Sequence, residues 1–239
     1  MDDRADFKLM IIEQTEKLNM NSYIDKHIAA IRRQISADIN DMTVDNVVRT
    51  FLAFHISGKN SSSFQDYYFL TLTNENYFLS SPTFFRDFKI RYSLQGIDNG
   101  YLDRLESDKQ NILALLQAGK LADLYFDYFA KANIKHGATT IDKDLGSFFA
   151  KLVHTFKPDD YCALDNPIKN HFGLQRESFF IAFSIISSAY KLWAADNKKL
   201  LADMKQQFEN IDNKHLIRHD RVTDLKLLDL IYWSKANIN

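Results

Sequence analysis

Residues 151–174 read KLVHTFKPDDYCALDNPIKNHFGL, and their punctuation points to an all-α chain. Leu152, Val153 and Phe156 close an apolar helical face that opens at Leu145, Phe148 and Phe149. Pro158 stands just past that face, where proline commonly follows a helix. Asp165 then precedes Asn166-Pro167, the pattern of a capped helix start with proline in the first turn. Gly173 ends this second helix. The spacing therefore predicts a helix capped by Asp142 or Asp144, a short connector, and a helix from Asp165 to Gly173.

Outward from this stretch the same periodicity continues. Residues 177–195 are apolar on nearly every side, as in the buried centre of a bundle, and 200–208 and 222–236 read as two further helices. Upstream, helices are expected over 6–18, 23–39 and from Thr43 or Asp45 to near Gly58, then over 102–116 and 121–132, with 133–140 a loop. Residues 64–80 are β-prone but favour helix, because an isolated hairpin is unstable without further strands or a packed helix. Tyr125, Phe126, Tyr128 and Phe129 read as core. Glycine and aspartate crowd residues 96–100, which suggests two helical lobes, 1–100 and 101–239, with a single domain as the alternative.

Composition supports this class. The 239 residues include 19 Phe and 11 Tyr but only 7 Gly and 3 Pro, a balance that suits helices better than a sandwich or barrel. The net charge is -1 and no basic arm stands out, which lowers the expectation of nucleic-acid binding without removing it. The single cysteine, Cys162, excludes an internal disulfide and fits a reducing cytoplasm. No apolar run reaches membrane-spanning length, so a cytoplasmic protein with no membrane partner is expected. No phosphate loop, zinc spacing or nucleophile elbow occurs, and no cofactor or metal is expected.

Asp165 is the leading chemical candidate. An aspartate there can simply hold first-turn amides, or it can aim a carboxylate into a cleft and stabilise a developing cation. His154 is a second candidate, as a base beside the connector. Lys169 and His171 lie on the helix after Asp165, and Lys214, Arg218 and Arg221 lie in the most basic local stretch, 213–226. Together these five are the expected nucleic-acid contacts.

The order helix, connector, apolar-Asp-X-X-apolar, here Leu164-Asp165-Asn166-Pro167-Ile168, resembles the catalytic-aspartate segment of the helix-hairpin-helix DNA glycosylases. A likeness also extends to bacterial helical proteins distantly related to that superfamily, through Lys151, His154, Phe156, Pro158, Asp165 and the last-helix run Asp229-Leu230-Ile231-Tyr232-Trp233. Where the glycosylases carry His and Arg this chain has Pro167 and Asn170, and Lys143-Asp144-Leu145-Gly146 replaces their glycine-rich hairpin. The resemblance implies a glycosylase-like C-terminal half, DNA as partner, and cleavage of an N-glycosidic bond without a lysine adduct. The alternative is a non-catalytic helical module that binds another protein.

Overall fold

The computed structural model describes residues 3–56, 61–94, 96–136, 139–212, 217–218 and 220–237. Those residues form an all-α protein of thirteen α-helices with one small hairpin. In chain order the helices are α1 (Asp3–Asp38), α2 (Thr43–Ile56), α3 (Ser61–Thr71), α4 (Glu75–Ser80), α5 (Phe84–Arg91), α6 (Asn99–Ser107), α7 (Lys109–Gln117) and α8 (Leu121–Leu124). A π-helical turn (Tyr125–Phe129), strands β1 (Ala132–His136) and β2 (Thr139–Lys143), and then α9 (Gly146–Phe156), α10 (Asn166–His171), α11 (Phe179–Asp196), α12 (Lys198–Ile211) and α13 (Asp224–Asn237) complete it.

Residues 64–71 and 75–80 are helical, the favoured reading, with a turn between them, and Asn74 caps α4 by accepting from the Tyr77 amide at 3.0 Å. The expected helices 6–18 and 23–39 are one continuous α1, since no glycine or proline interrupts them. The expected helix 102–116 is two, because Asp108 both ends α6 and starts α7. The expected loop 133–140 and the helical end of 121–132 are instead the antiparallel hairpin, in register Ala132↔Lys143 to His136↔Thr139. The hairpin leans on α6. Asp98 accepts from the Lys135 amide at 2.6 Å, and Arg104 donates to the Asn133 carbonyl at 2.7 Å.

Aromatic rings join the first hundred residues to the rest. Phe88 stacks on Phe148 with centroids 5.3 Å apart, and Phe78 meets Phe156 at 5.1 Å. Helix α1 packs on α11, and α2 packs on both α12 and α13. One buried cluster therefore runs from Ile31 to Tyr232 through the bend at 96–100. Of the four aromatics around the π turn, Tyr125 and Phe129 are core and Tyr128 is half-buried. Phe126 is 64% exposed, because the wider turn rotates it outward. No helix among the described residues is long and apolar enough to cross a membrane.

Candidate functional site

The site begins with the connector between α9 and α10, whose backbone is handed to three helices. The Tyr161 carbonyl accepts from His154 of α9, the Cys162 amide donates to Ser187 of α11, and the Ala163 amide donates to Asp229 of α13. The Pro158 carbonyl accepts from Thr223, just before α13. These bonds satisfy polar groups that burial would otherwise leave unpaired, and they aim the chain as it enters Asp165. Asp165 is half-buried, has extended backbone, and accepts from the Ile168 amide at 3.2 Å, so it is the N-cap that its position suggested.

Near it lie ionisable residues of α9 and α13, Lys151 half-buried and Lys226 and Asp229 buried. Lys151 donates to Ser147 Oγ at 2.7 Å. Burial lowers the pKa of its amine, with the charge of Asp165 acting against that shift and that of Lys226 adding to it. Lys226 is buried with its amine 5.3 Å from the Tyr68 ring centre, and burial lowers its pKa too, opposed by Asp229 and Asp165. Asp229, 3% exposed, takes the Ala163 amide on Oδ2 at 2.6 Å. Its Oδ1 is buried without a hydrogen-bond partner among the described residues. Burial pushes the Asp229 carboxyl up to about 6, against the opposing effects of Lys226 and the Ala163 amide.

His154 is fully buried and its pKa is lowered to about 3, first by burial and then by Lys226. Its Nδ1 lies 2.7 Å from the Tyr161 carbonyl, which can only accept, so Nδ1 carries the proton. Nε2 must then accept the Tyr68 hydroxyl at 2.9 Å. Both nitrogens are occupied, and the neutral ring ties α3 and the connector to α9. Cys162 is likewise enclosed, with Sγ 3.2 Å from Ser187 Oγ and burial pushing its thiol pKa up.

A cavity of about 450 Å³ opens beside this cluster, walled by Lys143, Asp144, Ser147, Asn166, Lys169 and Glu177 over an apolar base that includes Phe148 and Phe179. Ser147, which holds Lys151, and Asn166, which follows Asp165, join the two features. The cavity rim is fixed from outside: Tyr125 donates to Asp144 at 2.9 Å, the Leu145 amide donates to the Phe129 carbonyl, and Tyr23 donates to Glu177 at 2.6 Å. Gly146 opens α9 where a Cβ would stand 2.1 Å from the Phe179 ring, so only glycine lets α9 and α11 start this close together.

The expected nucleic-acid residues scatter. Lys169 is buried, lines the cavity, and donates to the Glu177 carbonyl at 2.5 Å. His171 lies at the far end of α10, 3.0 Å from Asp38. Arg218 pairs with Asp66, and Arg221 lies 4.3 Å from the Phe69 ring centre, both against α3. Lys214 lies outside the described residues. Tyr68, Ser147 and the inward charges of α13 carry the cluster without having been expected there. One signal existed: Lys226 and Asp229 interrupt the apolar run Leu225, Leu227, Leu228, Leu230 and Ile231, so that helix has no face on which both charges avoid the core.

Among the described residues no group of three or more His, Cys, Asp or Glu side chains is arranged to hold a metal ion. The chain matches no family model, and neither curated proteins nor solved structures give a significant match.

Proposed function

We propose that this chain binds nucleic acid and cleaves the N-glycosidic bond of a nucleotide turned out of its strand, with Asp165 stabilising the positive charge that develops on the sugar. The observation that carries this reading is the placement of Asp165, a half-buried carboxylate at a helix start whose next residue lines a cavity of about 450 Å³. That volume falls within the roughly 300–1,000 Å³ of small-molecule sites.

Lys151 favours a covalent variant of the same reaction. Its amine rests on a residue of the cavity wall, and burial favours the neutral, nucleophilic form. In the hydrolytic variant water attacks the sugar and no adduct forms.

Base release from damaged DNA, with Asp165→Asn as comparison, tests the reading. Asparagine caps a helix as well as aspartate, so melting is expected to change by less than about 1 kcal/mol in stability. Base release is expected to fall roughly 100-fold to 1,000-fold, the loss typical of removing one preorganised electrostatic contact. Borohydride separates the two routes: a trapped DNA adduct that vanishes in Lys151→Met supports the covalent one, and release without trapping supports water. DNA binding that is absent or indifferent to salt would end the nucleic-acid reading.

A further inference from the structure

A buried cation stands in the wall of the cavity beside Asp165. Lys169 is 8% exposed, and its amine makes no ion pair among the described residues. The amine lies between two other residues of the cavity wall, 2.5 Å from the Glu177 carbonyl and 5.6 Å from the centre of the Phe179 ring. An ammonium carries three donors, and the carbonyl takes one of them. The ring adds a weaker contact, yet a buried charge with no anion beside it is costly. The wall carboxylates are held by other groups. Asp144 takes the Tyr125 hydroxyl on one oxygen and the Gly146 amide on the other, and Glu177 takes the Tyr23 hydroxyl. On the same wall, Ser147 Oγ accepts from Lys151, so its own proton is left to donate elsewhere. Leu94, Ile97, Phe148 and Phe179 supply an apolar side.

We propose that Lys169 anchors an anionic group of the cavity's ligand, a phosphate on a nucleoside whose base lies against Phe148 and Phe179. The anion follows from the buried ammonium, whereas its identity as a phosphate rests on the nucleotide reading above. Phosphate oxygens accept the two remaining donors of Lys169 in charge-assisted bonds, and the Ser147 hydroxyl adds a neutral donor. The apolar side takes the flat face of the base, which needs no polar partner there. A nucleotide within a strand and a free nucleotide present the same phosphate oxygens, so the anchor is common to both sources.

The test is calorimetric titration of the whole protein with adenosine, adenosine 5′-monophosphate and a short single-stranded oligonucleotide. The monophosphate is expected to bind more tightly than adenosine. Lys169→Gln keeps a donor for the Glu177 carbonyl and removes the charge. It is expected to weaken the monophosphate roughly 10-fold to 100-fold, the loss of a hydrogen bond to a charged group, and to leave adenosine unchanged. A structural role alone would weaken both alike. Equal binding of adenosine and the monophosphate, or equal losses for both in folded Lys169→Gln, would overturn the proposal, as would no binding of any of the three. If Lys169→Gln does not fold, Asn166→Asp on the exposed part of the wall decides, since an acidic residue suits the first turn of α10. Its added charge is expected to weaken the monophosphate roughly fivefold and spare adenosine, and unchanged affinity for both overturns the proposal. If only the oligonucleotide binds, its weakening in these variants supports a strand as the source, and no weakening overturns the anchor. Lys169-dependent binding of the monophosphate without the oligonucleotide retains the anchor and ends the nucleic-acid reading.

Discussion

The two ends of α10 carry the same kinds of residue and treat a carboxylate in opposite ways. At the N-terminal end, Asp229 of α13 lies in the interior with Lys226 and Lys151, and its carboxyl is pushed up to about 6. At the C-terminal end, Asp38 meets His171, Lys235 and Tyr232. Burial disfavours its charge too, yet the hydrogen bonds from His171 and Lys235 hold the carboxyl below the usual carboxylate range. What separates them is the number of donors and the access to water. Asp38 is only partly buried and has three side-chain donors, whereas Asp229 has one backbone amide and an unpartnered oxygen among the described residues. A carboxylate held by several side-chain donors anchors the fold. One buried with a single amide donor is poised to exchange a proton near neutrality.

The largest expected effect is in the pH dependence set by Asp229. Its folded pKa lies above the unfolded value, so the folded state holds the extra proton between the two. Stability is therefore lost as pH rises from about 4 through about 6, by on the order of 3 kcal/mol if the group acts alone. Asp229→Asn should flatten that part of the wild-type curve in urea unfolding at several pH values. An unchanged slope would erase the contrast between the two ends.

Next in size is Tyr68→Phe, which leaves His154 Nε2 buried without its donor and should cost about 1–3 kcal/mol. Thermal melting at neutral pH measures it, and a neutral outcome would mean that the N-terminal cluster is not held by that contact. The smallest is Asp38→Asn, about 1 kcal/mol, because the pairs it breaks are partly exposed. The folded pKa of Asp38 is depressed, so this difference should be full above the usual carboxylate pKa and vanish as pH falls through the lower folded value. A difference that persists in strong acid would show packing, not charge, at that end.

Much of the helical layout was legible because it depends on local signals. Pro158, the Asp165 cap, Gly173 and the apolar run of α11 act within a few residues of themselves. The hairpin was missed for the opposite reason. Its support comes from Asp98 and Arg104 on α6, about thirty residues away, and an isolated hairpin is unstable without such support. The break at 96–100 is equally instructive: glycine and aspartate do turn the chain there, but turning the chain does not divide the core, and Phe88 stacks on Phe148 across it.

At the site, the sequence alone named Asp165 and His154, because a cap and a helix end are linear features; it gave Lys151 no role. It could not tell that His154 is held neutral between Tyr68 and Tyr161, that Lys169 faces inward, or that Lys226 and Asp229 share the interior with Lys151. Burial and electrostatic coupling depend on what other helices bring within a few ångströms, and α3, α9, α10 and α13 are separated along the chain by up to about 160 residues. Sequence determined the helical class and those helix ends that local caps and breakers mark, as at α10. Only their packing decided which charges lose their water, and hence which protons can move.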